Sequence, residues 1–172
     1  YGDPRVVGLT GLIGNPAGYH AVWDCDVLLM LGTNFPYDAF LPGDAQIIQV
    51  DRQVENIGRR APVDLGLVGT VKETVAQITP QVESRGSGKF LGSLEKMRDK
   101  WLRELEKQAD LYRTYEPLHP LLFARALIDL ASDDTTFSGD VCESTVSYAR
   151  QVSLLAERRM LATPHYGPLP AL

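Results

Sequence analysis

The sequence is poor in the features that mark several classes of protein. Its only two cysteines, Cys25 and Cys142, lie far apart without CxxC spacing, which argues against a zinc site and favours reduced thiols. The longest apolar run, residues 27–31, has the length of a strand and falls far short of the roughly 20 residues of a membrane helix. Acidic residues (22) outnumber Lys and Arg (17), and this charge balance disfavours nucleic-acid binding.

The chain also lacks a secretory leader pattern and an initiating methionine. Because it begins with Tyr1, we expect a piece of a longer cytoplasmic protein. The three histidines, His20, His119 and His165, have no Ser, Cys or Asp at a spacing typical of a catalytic triad. Hydrolysis by an activated nucleophile is therefore not expected.

Residues 1–83 have the pattern of an α/β domain. Three apolar runs of strand length occur in it, at residues 24–33, 45–51 and 63–68. Such runs are typical of strands buried on both faces of a parallel sheet, and Gly69 with Thr70 then begins a helix that is predicted to reach about Ile78. Residues 35–44 are too short for an ordinary crossover helix, which favours a ligand-binding turn at the carboxyl edge of the sheet.

A linker and a long helix are predicted over residues 84–117. The helix, at about 90–115, has one apolar stripe, and we interpret it as packing on its own protein in preference to binding a partner. The stripe comprises Phe90, Leu94, Met97, Trp101, Leu105 and Ala109. Residues 118–172 have the pattern of a second α/β domain, with a helix starting at Pro120, a strand at 135–138 and a further helix near 144–155.

Two features could carry chemistry. Gly8, Gly11 and Gly14 form a loop whose backbone amides could approach a phosphate or a ring edge, although the spacing is not G-x-G-x-x-G and so disfavours a nicotinamide site. Asp51 ends the second predicted strand, where a carboxylate can accept hydrogen bonds from ribose hydroxyls. The alternative for Asp51 is a solvated strand end.

Four segments together resemble the middle domain of bacterial pyruvate oxidases and of the quinone-linked pyruvate dehydrogenase, which are thiamine-diphosphate-dependent enzymes. The segments are residues 10–14, 31–37, 47–51 and 63–69. The resemblance implies a partial, parallel-sheet, nucleotide-binding-like fold of the DHS type, and an FAD site within it.

The resemblance also implies roles for individual residues in FAD binding. Asp51 would hold the adenosine ribose. The first loop would contact the flavin and its diphosphate, and it comprises Thr10, Gly11, Leu12 and Ile13. The second loop comprises Thr33, Asn34, Phe35, Pro36 and Tyr37.

From residue 118 the resemblance continues into the domain that binds thiamine diphosphate. It implies that residues 139–143 face the cofactor and that Gly167 lies in a loop near the pyrimidine, although Pro168 departs from the family pattern. The family's magnesium motif ends in an asparagine, and no asparagine follows Asn56. The glutamate that activates the aminopyrimidine belongs to the family's first domain. FAD, thiamine diphosphate and Mg²⁺ are therefore expected in the full-length protein, and the chain alone is expected to be catalytically incomplete.

The predicted function is that of a fragment of a 2-keto acid oxidase or dehydrogenase acting on pyruvate. Acetolactate synthase or a non-oxidative 2-keto acid decarboxylase is the alternative within the superfamily, and residues 35–37 favour the oxidase. A non-catalytic dimerisation or binding module is the alternative from another class. We expect the full-length protein to be a homodimer or homotetramer, with no nucleic-acid partner and no membrane span.

Overall fold

The computed structural model describes residues 3–83, 86, 88–139, 143–151 and 158–162. The helices are α1 (Pro16–Trp23), α2 (Val71–Ile78), α3 (Lys89–Leu111), α4 (Pro120–Leu130) and α5 (Glu143–Gln151). The strands are β1 (Val27–Leu31), β2 (Gln46–Asp51), β3 (Leu65–Val68), β4 (Thr136–Gly139) and β5 (Arg159–Ala162). No helix in this described part of the chain is long and apolar enough to cross a bilayer.

The first three strands form a parallel sheet in the order β1-β2-β3, which confirms the predicted α/β fold. Each strand lies inside its predicted apolar run but is shorter. Gly32, with φ of 59°, ends β1, and its N–H donates to the carbonyl of Val50 at 2.8 Å. Gly69 does the same beyond β3, where its N–H donates to the carbonyl of Asp51 at 2.9 Å.

The prediction that these strands are buried on both faces is wrong for β1 and β3. Met30 and Ile47 belong to a buried cluster on one face, together with Leu41. On the other face Val27, Leu29 and Leu65 are 45–50% exposed. An apolar run indicates that a strand is suited to a buried position, whereas its actual burial depends on which elements pack against it. Here α2 lies against β2, where Val50 is fully buried, and leaves side chains of both β1 and β3 exposed on that face.

Helix α1 was not predicted from the sequence, although its start signal is present. Asn15 caps it, with the side-chain oxygen accepting from the N–H of Gly18 at 2.7 Å, and Pro16 occupies the first turn. The helix has only eight residues, too few for a clear 3.6-residue period. It packs against α3.

Helix α3 confirms the long predicted helix, and Tyr112–Thr114 continue it as a 3₁₀ turn. From the predicted stripe, Leu94 and Ala109 are buried, whereas Phe90 is 45% exposed. Its contact with α1 supports the interpretation that it packs on its own protein.

In the predicted second domain, α4 has Pro120 in its first turn as predicted, and His119 is its cap. Strand β4 confirms the short strand at 135–138 within one residue, and it pairs in parallel with β5, which was not predicted. Helix α5 packs on α4. The predicted end of the last helix near residue 155, Gly167 and Pro168 all lie outside the described residues. The division into domains 1–83, 84–117 and 118–172 stays a prediction.

We expect the isolated chain to self-associate or to bind a dye for exposed apolar surface. The open face of β1 provides the reason, because parallel sheets are normally covered on both faces. Gel filtration at several concentrations, with dye fluorescence, measures this. Leu29→Gln should weaken the association more than Leu102→Gln, since both leucines are 45% exposed but Leu102 lies on α3. A strictly monomeric, dye-silent chain would contradict the prediction.

Candidate functional site

The carboxyl ends of the three parallel strands border one crevice of about 370 Å³. This edge is where open α/β sheets bind ligands. The crevice is lined by Gly32, Asn34, Asp51, Arg52, Gln53, Asn56, Gly69 and Val71. Asn34 and Asp51 were predicted site residues, whereas Arg52, Gln53 and Asn56 were missed. They follow the tip of β2 directly in sequence, so their position after a strand ending in aspartate was the available signal.

Asp51 is the last residue of β2 and is 8% exposed. Its Oδ1 accepts a hydrogen bond from the N–H of Gln53 at 2.9 Å, which turns the chain sharply after the strand. A carboxylate has about four lone-pair positions, so this bond leaves acceptor capacity on the side chain. Asp51 is therefore a largely buried strand end that lines the crevice, and its role in ligand binding stays a prediction.

Gln49 supports the crevice from within β2. This side chain is 3% exposed, and its Nε2 donates to the carbonyl of Asn56 at 3.0 Å while its Oε1 accepts from the N–H of Gly58 at 2.9 Å. These two bonds tie the loop after β2 to the strand. The signal in the sequence was an amide inside an otherwise apolar run, since a buried polar side chain has to find partners.

The second predicted loop, residues 33–37, lies partly at the crevice and partly against the buried cluster of the sheet. Asn34 lines the crevice, and its Oδ1 accepts from Nε of Arg60 at 3.1 Å. Phe35 packs against the buried cluster of the sheet and meets Tyr37 edge to face, with ring centroids 5.6 Å apart. Thr33 is half-buried and Pro36 is exposed. Of these five residues, Asn34 is the one that lines the crevice.

The first predicted loop lies against the second. Gly11 has φ of 83°, and a Cβ there would lie 3.0 Å from Cζ of Phe35 and 3.7 Å from Cδ2 of Tyr37. The Oγ1 of Thr10 is buried without a hydrogen-bond partner among the described residues. Leu12 is 64% exposed at the loop tip, and Ile13 is 36% exposed. The structure therefore brings the two predicted loops together.

Cys25 plays no part in this edge of the sheet. It precedes β1, at the opposite end of the strand from Gly32. Burial raises the pKa of its thiol, and Asp26 and Asp24 act in the same direction. A thiol that stays protonated at neutral pH is a poor nucleophile. Among the residues that the structure describes, no group of three or more His, Cys, Asp and Glu is arranged to hold a metal ion.

The structure is thus an α/β domain with a crevice at the carboxyl edge of its parallel sheet. Residues 1–78 match the family described as thiamine pyrophosphate enzyme, central domain.

Three relatives illustrate the similarity. An uncharacterized 42.6 kDa protein of Pseudomonas amyloderamosa is 53% identical over 91 residues, covering 53% of this chain and 23% of that protein. The putative thiamine pyrophosphate-containing protein YdaP of Bacillus subtilis is 34% identical over 160 residues, covering 93% and 28%. Pyruvate oxidase of Lactiplantibacillus plantarum is 23% identical over 167 residues, covering 93% and 27%.

Other relatives are named sulfoacetaldehyde acetyltransferase and acetolactate synthase. The chain spans about a quarter to a third of the length of the relatives that it matches. The similarity thus extends across relatives that carry the names of different enzymes.

Gly11→Ala should destabilise the chain by about 1–2 kcal/mol, the cost of a side chain in the left-handed region. The added methyl also meets the ring of Phe35. Urea titration at low protein concentration, followed by circular dichroism, measures the change. Gly43→Ala is the matched control, because a Cβ at Gly43 meets nothing within 4 Å. Equal effects of the two substitutions would contradict the left-handed conformation of Gly11 against Phe35.

Proposed function

We propose that this chain is part of a thiamine-diphosphate-dependent enzyme that oxidatively decarboxylates a small 2-keto acid such as pyruvate, and that its first unit binds FAD. The observation that carries the proposal is the buried carboxylate of Asp51 in the crevice at the carboxyl edge of the sheet. The relative named pyruvate oxidase supports the choice of reaction. The full-length protein, in a cytoplasmic homo-oligomer, would also hold thiamine diphosphate and Mg²⁺.

The residues present fit FAD at three points. Asp51 has acceptor capacity for ribose hydroxyls, and Thr10 Oγ1 is a buried polar atom without a partner among the described residues. Gly11 presents bare backbone beside two aromatic rings. A crevice of about 370 Å³ is at the lower end for small-ligand pockets, so it suits the adenosine part, with the remainder running along the glycine loop.

The charges at this edge suit a dinucleotide. Arg52 lines the crevice, and Arg60 is held next to it by its bond to Asn34. Guanidinium groups are good partners for a diphosphate, whereas the single carboxylate of Asp51 suits a neutral ribose. When bound, FAD supplies an acceptor for two electrons and thiamine diphosphate stabilises a carbanion. The role of this chain's residues is to bind and orient.

Acetolactate synthase or a non-oxidative decarboxylase remains the second candidate, because relatives with the former name match nearly the whole chain. The discriminating measurement is the visible absorbance of the purified full-length protein, followed by assays for acetolactate and for electron transfer to a dye. Bound flavin with pyruvate-dependent dye reduction supports the oxidase. Acetolactate formation without dye reduction would replace the proposal with the synthase.

Asp51→Ala in the full-length protein should weaken FAD binding by about 1–3 kcal/mol, the cost of leaving buried ribose hydroxyls unpaired. The affinity for thiamine diphosphate should stay nearly constant. Fluorescence titration of the apoprotein with FAD measures the dissociation constant of each variant. Asp44→Ala serves as the control, because Asp44 is an exposed aspartate at the opposite end of β2. Equal FAD affinity in the Asp51 and Asp44 variants would remove Asp51 from the site.

The 172-residue chain alone should not turn over pyruvate. Activation of thiamine diphosphate needs a proton relay and a metal that holds the diphosphate, and no asparagine after Asn56 can complete the family's metal motif. Carbon dioxide release with added thiamine diphosphate and Mg²⁺, compared with a protein-free reaction, measures this. Turnover above that background would refute the prediction that the chain is catalytically incomplete.

A further inference from the structure

One side chain of helix α3 reaches the segment that leads into the glycine loop. Arg98 is 24% exposed at its side chain, and its Nη1 donates to the carbonyl of Pro4 at 3.0 Å and to that of Val6 at 3.4 Å. These bonds join parts of the chain more than 90 residues apart. A charged donor forms stronger hydrogen bonds to carbonyls than a neutral one.

The guanidinium is held in place from its other side. Its Nε and Nη2 donate to Oδ1 of Asp99 at 3.2 and 3.1 Å. With the fork oriented by a neighbouring carboxylate, Nη1 remains directed at the two carbonyls. A planar fork is needed for this arrangement, because a lysine ammonium cannot serve both partners in the same geometry.

Beyond Val6 the chain is held by helix α1. Asn15, the cap of α1, donates twice to this segment. Its side-chain Nδ2 donates to the carbonyl of Val7 at 3.3 Å, and its backbone N–H donates to the carbonyl of Leu9 at 2.9 Å. Gly18 faces the backbone of Leu9 so closely that a Cβ at this position would overlap it. Residues 7–9 thus rest on α1, and residues 4–6 are bonded to α3.

The two helices that hold this segment also pack on each other. Ala17 of α1 is fully buried, and Leu94, one turn before Arg98 on α3, is 4% exposed. The segment that leads into the glycine loop is therefore held by two helices that pack on each other. Residues 10–13 follow directly, with Gly11 against the rings of the second loop.

We propose that Arg98 is a positioning residue for the loop of Thr10, Gly11, Leu12 and Ile13. It acts through its hydrogen bonds to the carbonyls of Pro4 and Val6. Through these bonds, helix α3 helps to hold the loop in place. The inference rests on the proposed function only where it states what the loop binds, because the bonds of Arg98 do not depend on the ligand.

The experiment compares Arg98→Met, Arg98→Lys and the control Arg103→Met in the full-length protein. Arg103 is an exposed arginine on the same helix. The first measurement, made without flavin, is hydrogen exchange at the amides of Gly14 and Asn15, which donate to the carbonyls of Gly11 and Leu9. The second is the FAD dissociation constant together with the visible spectrum of the bound flavin.

Arg98→Met should speed exchange at Gly14 and Asn15 by about tenfold, with amides of β2 unchanged, and should raise the FAD dissociation constant about tenfold with an altered flavin spectrum. Arg98→Lys should give intermediate values, since it keeps the charge but not the fork. Arg103→Met should behave as the wild type. A general loss of stability would instead speed exchange in β2 as well, and that result would overturn a local role.

The remaining outcomes distinguish failure of the proposed function from failure of the role of Arg98. If the wild type binds no FAD, the proposed function fails, while the exchange measurement still judges Arg98. If FAD binds and the loop amides exchange equally in Arg98→Met and wild type, the role of Arg98 is refuted and the proposed function stands. If Arg98→Met does not fold, the same comparison is made with Arg98→Lys, for which wild-type exchange and spectrum would count against the inference.

Discussion

The candidate site depends on the parallel pairing of β2 with a strand on each side. The hydrogen bonds continue past the ends of the flanking strands, from the N–H of Gly32 to Val50 and from the N–H of Gly69 to Asp51. The turns at Gly32 and Gly69 and the carboxylate of Asp51 therefore meet at the same edge. In an antiparallel sheet the same residues would alternate between opposite edges. The strand direction is thus what turns three separate sequence positions into one crevice.

Close backbone approach is the second requirement of this arrangement. Gly11 lets the first loop touch the ring of Phe35, and Gly18 lets Leu9 rest on α1. Gln49, inside β2, forms hydrogen bonds with backbone groups of the loop that follows the strand. Side chains larger than hydrogen at the two glycines would separate the loops from the sheet edge. The site is therefore a product of backbone packing as much as of its polar groups.

The exposed apolar face of the sheet determines in which form of the protein binding should be measured. A parallel sheet with apolar side chains 45–50% exposed is incompletely covered, and the chain matches about a quarter to a third of the length of its relatives. Binding measurements therefore belong in the full-length protein. In the proposed function the residues of this chain bind and orient FAD, and the proton and metal chemistry of decarboxylation is assigned to other parts of the full-length protein.

The sequence by itself determined the α/β class, the three parallel strands and the long helix, because strand length, apolar runs and the 3.6-residue period are local properties. It also marked Asp51, since an acid at the end of such a run stands out. Local patterns could not reveal helix α1, which is too short for a period, or strand β5, which is defined by its pairing with β4.

Only the tertiary structure decided which predicted residues meet. It brought Gly11 to the rings of the second loop, separated Asn34 in the crevice from Phe35 in the core, and bonded Arg98 to a segment more than 90 residues away. It also left one face of β1 exposed despite a continuous apolar run. The physical reason is common to all four: contacts and burial depend on which distant parts of the chain pack together, and no local pattern of residues encodes that.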